Sequence, residues 1–379
     1  MYGDINLHIW TGRGSDPTPI AKRKLQPSPR PPYHPKGYPV GMVGSSAAWL
    51  LTAALKLDVV RLGSAIMLAE HQRSYVPKYA RVDGDIETMW QLPHGMPKGL
   101  LFIAHGCKHQ GTDVFSDVGP DGWRLEECSN SNSGSCLGLP EEVKLRQTAR
   151  RRGYVVVSVS GGSGSRSCWH MTQDPSRVSR AIRHVVDSEE LPKDIAVLAT
   201  GASSGGAFMG TLAAPLGPDG GLPNLKCIVP QISGTAGENR GVPTLYVHMP
   251  RDSKTAARIE EQIRDLRERD VRVWELKVLQ RPVTEAFLEQ CMPAEAARQG
   301  LKALRHASLL DSRGFLKNGS RHRLWVKPLQ EAVGATVSDT FEADASCVSE
   351  LMNVADAIHE FTAEYSEQMS NFCEGADIA

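Results

Sequence analysis

The stretch Gly201-Ala202-Ser203-Ser204-Gly205-Gly206 follows an apolar run ending at Ala199 and precedes a helix-like pattern. Gly201, Ser203 and Gly205 have the G-x-S-x-G spacing. On a sharp strand-to-helix turn such a serine stands with its hydroxyl above the sheet. Small residues two positions to either side let strand and helix pass close to it, and the next backbone N–H faces the place where an oxyanion develops. The same spacing also suits an ordinary tight turn, and Ala202, Ser204 and Gly206 offer a relaxed register around the second serine. Glycine on both sides favours Ser203 as the nucleophile.

A serine hydroxyl attacks a carbonyl when a base takes its proton and an acid orients that base. Asp252 ends "PTLYVHMPRD" (243–252), after an apolar run and before a helical pattern. It fits the acid, and it fits a helix N-cap equally well. His359 lies in "MNVADAIHEFT" (352–362), ahead of a helix expected to begin near Thr362. It completes the order Ser–Asp–His. His248 falls inside a strand run and reads as a core or loop filler, whereas His306 and His322 read as solvated.

The oxyanion also needs a donor from an earlier loop. "FIAHGCKHQGTDVF" (102–115) supplies one: the Cys107 amide is expected beside that of Ser204, with His105 and Gly106 lining the pocket. His105 and His109 as metal ligands would lack a third partner and follow a strand, so no metal is expected. "SGGSGSRSCW" (160–169) should reach the same sheet edge, with Arg166 and Trp169 as further pocket-lining candidates. Its glycines lack a following GK[ST] and a complete G-x-G-x-x-G, so no nucleotide or other cofactor is expected.

These residues need a frame. Apolar runs of strand length occur at 99–106, 154–161, 194–201, 226–233, 243–250 and 271–278. Uninterrupted β-branched runs indicate strands buried on both faces, as in parallel sheets. Helical patterns at 139–153, 174–189, 205–216 and 252–270 alternate with them. The alternation predicts an α/β fold with a doubly wound, mostly parallel sheet, whose functional loops gather at the strands' C-terminal ends. "YARVDGDIETMWQLP" adds a hairpin around an Asp-Gly turn. Residues 282–335 break the rhythm and read as a helical insertion before the C-terminal helix.

Ahead of this domain, taken as 78–379, residues 1–40 are Pro-rich and basic and read as a disordered leader. Residues 41–77 read as an N-terminal helical segment. The uncharged part of it is shorter than the roughly 20 apolar residues of a spanning helix, so a helix packed on the domain is favoured over membrane contact through 41–69. A targeting or secretory role for the N-terminal segment stays open for an otherwise soluble chain. Over 379 residues, Lys+Arg and Asp+Glu are both 43, which gives no global pull toward nucleic acid. Eight dispersed cysteines form no CxxC pair; Cys128 and Cys136, flanking a polar loop, are the best local disulfide candidates. Asn318 opens an "NGS" sequon that matters only if the chain is secreted.

The stretches "AHGC" (104–107), "CLGLPEE" (136–142), "GASSGG" (201–206), "PTLYVHMPRD" and "MNVADAIHEFT" resemble the α/β-hydrolase superfamily, and more narrowly a little-characterised plant and algal branch of it. The resemblance spans most of residues 99–372. It implies a serine-hydrolase site of Ser203, Asp252 and His359, and names no substrate. The expected function is therefore hydrolysis of a small-molecule acyl substrate, a carboxylic ester by preference. A non-catalytic binding protein of the same fold and an acyltransferase are the alternatives.

Overall fold

The computed structural model describes residues 76–115, 136, 138–162, 167–213, 222, 224–334, 337, 341–343 and 345–376. The leader, the 41–69 segment, Cys128 and Arg166 lie outside these residues. Among the described residues no helix is long and apolar enough to cross a membrane.

Strands β1 (Lys78–Val82) and β2 (Ile86–Gln91) form a hairpin around Asp83-Gly84-Asp85. There follow β3 (Gly99–Ala104), β4 (Tyr154–Val159), β5 (Val197–Ala202), β6 (Leu225–Gln231), β7 (Thr244–His248) and β8 (Val273–Lys277). They form one eight-stranded sheet in the order β1-β2-β4-β3-β5-β6-β7-β8. Only the β1–β2 and β2–β4 pairs are antiparallel. Helices α1 (Pro140–Arg151), α2 (Asp174–Ser188), α3 (Ser204–Ala213) and α4 (Ser253–Glu268) connect the strands. This architecture is the α/β-hydrolase fold.

Period-two alternation divides the central strands between two cores. Leu101 and Ile103 face one apolar layer with Val156, Leu198 and the α1 residues Leu145 and Ala149. Leu100 and Phe102 face the other with Val155, Val157, Ile182 of α2 and Phe208 of α3. Every residue of β3, β4 and β5 is buried, which is why these runs read as continuously apolar.

After β8 the chain forms short α5 (Glu285–Leu288), α6 (Ala294–His306), α7 (Val326–Val333), α8 (Cys347–Asp356) and then α9 (Ser366–Cys373). Helices α5 to α8 enclose their own apolar cluster, including Leu288, Leu304, Trp325, Leu329 and Leu351. The cluster draws in α8, so it runs beyond residue 335 to the threshold of His359. Helix α9 begins at Ser366 rather than near Thr362, and the Thr362 and Ala363 N–H groups donate to Gln231 Oε1 and Glu141 Oε2.

Three disulfides join distant segments: Cys107–Cys168, Cys227–Cys373 and Cys291–Cys347. Cys136 is also disulfide-bonded, but the partner proposed for it from sequence, Cys128, lies outside the described residues.

Leu304 is fully buried in the helical cluster. Leu304→Ala should cost about 2–5 kcal/mol of stability in denaturant unfolding. A change below about 1 kcal/mol would show that this cluster is not close-packed.

Candidate active site

Ser203 sits on the turn between β5 and α3 with φ 53°, a left-handed conformation that non-glycine residues rarely adopt. The surroundings hold it there. Its N–H donates to Gln231 O at 3.1 Å, and its own carbonyl accepts from Ala207 N–H at 2.9 Å. A β-carbon on Gly205 would lie 2.5 Å from the Ala104 and His105 carbonyl oxygens, and one on Gly201 would lie 2.8 Å from Ala104 Cβ. Both glycines let the turn press against the end of β3.

The Ser203 hydroxyl lies 3.0 Å from His359 Nε2, and His359 Nδ1 lies 2.6 Å from Asp252 Oδ2. A carboxylate only accepts, so Nδ1 carries the proton and Nε2 is left to accept from the serine. Asp252 also caps α4: its Oδ1 accepts from Thr255 N–H at 3.5 Å, so one carboxylate meets both the imidazole and the start of the helix. Burial pushes the Asp252 carboxyl up, but the Thr255 and His359 hydrogen bonds outweigh it and hold the group below its ordinary value. Among the described residues the adjacent Ser204 hydroxyl is buried with no hydrogen-bond partner, and the His359 ring meets the Ser203 hydroxyl.

His359 lies in the loop after α8, and two contacts that the sequence did not reveal place it. Arg321 donates to the His359 carbonyl at 2.6 Å. One turn earlier, Asp356 accepts from Ser320 N–H and Gln280 Nε2 and pairs with Arg251, the neighbour of Asp252. His248 is buried inside the sheet with Nε2 3.1 Å from Glu275, away from this chain of contacts. His306 and His322 are exposed.

Ser203, Asp252 and His359 line a cavity of about 520 Å³, together with Gly106, Cys107, Lys108 and His109. Among the described residues the Cys107 N–H has no acceptor, and the N–H of Ser204 is the first in α3, where helix geometry leaves it unpaired. His105 and Trp169, expected on the pocket wall, do not line it. They are buried behind the loop, where the Trp169 indole stacks on Phe208 with ring centroids 4.4 Å apart and donates to the His105 carbonyl at 2.9 Å. An aromatic side chain of that size gains more against the core than in a wet cleft.

The rest of the lining was not anticipated as part of the site. Glu142, Arg321, Glu360 and Phe361 belong to it. Burial raises the Glu142 carboxyl to about 7, and the facing Glu350 is pushed up by burial and by Glu142 itself, so the pair holds a proton near neutrality. Burial lowers His109, but Asp113, Glu142 and Glu360 reverse this and bring it to about 9. The Pro-Glu-Glu of "CLGLPEE" was the available signal: Pro140 starts α1, two acids in its first turn favour the helix dipole, and the second of them, Glu142, lines the cavity.

No family model matches the chain, and no curated protein matches it. Solved structures do resemble it. One is an acylaminoacyl peptidase from Pyrococcus horikoshii, at 13% identity and TM-score 0.37, covering 54% of this chain and 37% of that one. Another is a butyrate-bound esterase from Thermogutta terrifontis, at 12% and 0.37, covering 54% and 83%. A third is a serine hydrolase without a lid from Xanthomonas campestris, at 12% and 0.34, covering 70% and 96%. The chain thus spans little more than a third of the Pyrococcus peptidase. At these identities and scores the likenesses say nothing about activity, and the chemistry rests on the side chains.

His105 Nε2 accepts from Gly161 N–H at 2.9 Å, so its proton sits on Nδ1 and donates to Gly106 O at 2.7 Å. Burial lowers its pKa to about 4. The folded state therefore refuses a proton that the unfolded chain takes below about pH 6.5. This group's contribution is full above that pH and falls by about 3 kcal/mol as the pH drops toward 4. In an NMR titration the His105 ring should not titrate above about pH 5; a midpoint above 6 would overturn this tautomer and its hydrogen bonds.

Proposed function

We propose that the protein is a serine hydrolase of carboxylic esters. The observation that carries the reading is the Ser203–His359–Asp252 hydrogen-bond chain on a left-handed turn at the wall of a cavity. The fold gives no function by itself. A binding protein, however, has no use for a strained serine whose hydroxyl meets an oriented imidazole.

In this reading Ser203 Oγ attacks the ester carbonyl carbon while its proton passes to His359 Nε2. Asp252 stabilises the imidazolium that forms and keeps the proton on Nδ1. The carbonyl oxygen becomes an oxyanion and takes hydrogen bonds from the backbone N–H groups of Cys107 and Ser204. Collapse expels the alcohol, which leaves with the proton from His359. Water then attacks the acyl-enzyme with His359 as base, and Ser203 is released with the acid product. An alcohol entering in place of water would give acyl transfer, and product analysis with added alcohols separates the two. The substrate is a small acyl compound by the measure of the cavity, about 520 Å³.

A fluorophosphonate probe should label the wild-type protein on Ser203. Ser203→Ala should abolish labelling and lower p-nitrophenyl acetate turnover by at least about 10⁴-fold. Ser204→Ala should retain both activities, since only its backbone is used; an adduct on Ser204 would refute this assignment. Asp252→Asn should keep the geometry but turn the imidazole to the wrong tautomer, lowering kcat by about 10³–10⁴-fold. A kcat within tenfold of wild type would remove Asp252 from the mechanism.

A further inference from the structure

The residues that frame the oxyanion loop are tied to a second loop that touches no reacting atom. Residues 160–162 and 167–170 follow β4 and pack against His105-Gly106-Cys107. Gly161 N–H donates to the His105 ring, and the Trp169 indole donates to the His105 carbonyl. Asp174, at the start of α2, anchors the second loop by accepting from Gly162 N–H at 2.9 Å and His170 N–H at 2.7 Å. These contacts fix residue 105. His109 N–H donates to the Gly106 carbonyl at 3.3 Å and closes a turn around Cys107 and Lys108, and among the described residues the disulfide to Cys168 is the side-chain tie between that turn and the second loop. Lys108, in that turn, has φ 67°, a left-handed conformation that persists only where the surroundings enforce it. The Cys107 amide therefore sits in a tight turn after a fixed histidine, and the sulfur bridge sets the position of that turn against the second loop.

We propose that the Cys107–Cys168 disulfide is a positioning element of the oxyanion hole and makes turnover conditional on an oxidising environment. This rests on the serine-hydrolase reading above. With the bridge intact, the Cys107 N–H points at the forming oxyanion without reorganising. With the bridge open, the Gly106–His109 turn loses its tie to the second loop, the Cys107 amide shifts off the oxyanion position and one of two oxyanion donors is lost, while Ser203, His359 and Asp252 stay in register. Cys168 is exposed, so a reductant reaches its sulfur, whereas Cys227 in another bridge is fully buried. A dithiol opens the bridge by thiolate attack on Cys168 Sγ, and Cys107 leaves as the thiolate. The reductant's second thiol then releases Cys168. Two electrons and two protons pass to the protein, and the reductant ends as its own disulfide.

The test uses the full chain with dithiothreitol as reductant and p-nitrophenyl acetate as substrate. A Cys107→Ala/Cys168→Ala variant is compared with a Cys291→Ala/Cys347→Ala control, which opens only the bridge in the helical layer. Reduced wild type and the first variant should lose about 10²–10³-fold in kcat, the usual cost of one oxyanion donor, with KM changed less than about threefold. The downfield proton of the His359–Asp252 hydrogen bond should persist in both, and reoxidation should restore the wild type. The control should keep parental kcat and the same sensitivity to dithiothreitol. Two results would overturn the proposal: a kcat within about twofold of the oxidised enzyme, or loss of the downfield proton together with activity, which would make the bridge a staple of the whole fold. If oxidised wild type neither hydrolyses ester nor takes the phosphonate label, the serine-hydrolase reading itself has failed, and this proposal fails with it.

Discussion

The hydrogen bond from His359 Nδ1 to Asp252 Oδ2 spans 2.6 Å in space and 107 residues in sequence. It does its work only if the carboxylate is ionised and the imidazole is held edge-on to the serine. The first condition comes from the start of α4, where the capping bond from Thr255 favours the charged form against the effect of burial. The second comes from Asp356. Its two oxygens gather the Ser320 N–H, the Gln280 amide and the Arg251 guanidinium, so the end of α8, the loop after β8 and the acid's own loop are joined at one buried carboxylate. The long insertion leaves the sheet and returns to it at the same place. The distance in sequence between acid and base therefore costs little in precision. The geometry depends on where the insertion begins and ends, not on its length.

The strain at Ser203 is offset in the same local way. The turn needs a left-handed serine, a carbonyl on β6 to take its N–H, and two glycines that admit the end of β3. Those demands fall on β3, β5 and β6, which are adjacent in the sheet order. The end of β3 is also where the chain turns into His105-Gly106-Cys107. Close approach at the elbow and placement of the Cys107 amide are thus one packing problem.

Buried acids set another part of the lining. Glu141 accepts from Thr362 Oγ1 and Ala363 N–H and pairs with Lys144, so α1 holds the segment that follows His359. Glu142 and Glu350 cannot both ionise cheaply at close range in a dry interior, and their raised values express that. The charged His109 beside Glu142 offsets the negative charge that remains. Such clusters cost stability compared with an apolar core. Here they sit where the cavity meets the catalytic loop, and they give it a polar wall.

What could be read from the sequence was local. Strand runs such as 99–106, the helix patterns and the G-x-S-x-G spacing each depend on neighbours within a few residues, and they located the sheet, Ser203 and Asp252. The order Ser–Asp–His then singled out His359. What could not be read depends on partners far along the chain. The segment at Thr362, where the pattern suggested a helix start, is instead docked by hydrogen bonds to Gln231, 131 residues away, and Glu141, 222 residues away. His105 looked like a pocket residue because it follows a strand at the functional edge. Only the facing loop, reached through a bridge between residues 61 apart, shows that its ring is turned inward and neutral. Cysteine spacing suggested only the local Cys128–Cys136 pair, whereas each described bridge joins residues at least 56 apart. Sequence thus revealed which side chains are suited to the chemistry, while the groups that aim them, Asp356, Arg321 and the Cys107–Cys168 bridge, emerge only once the sheet has folded.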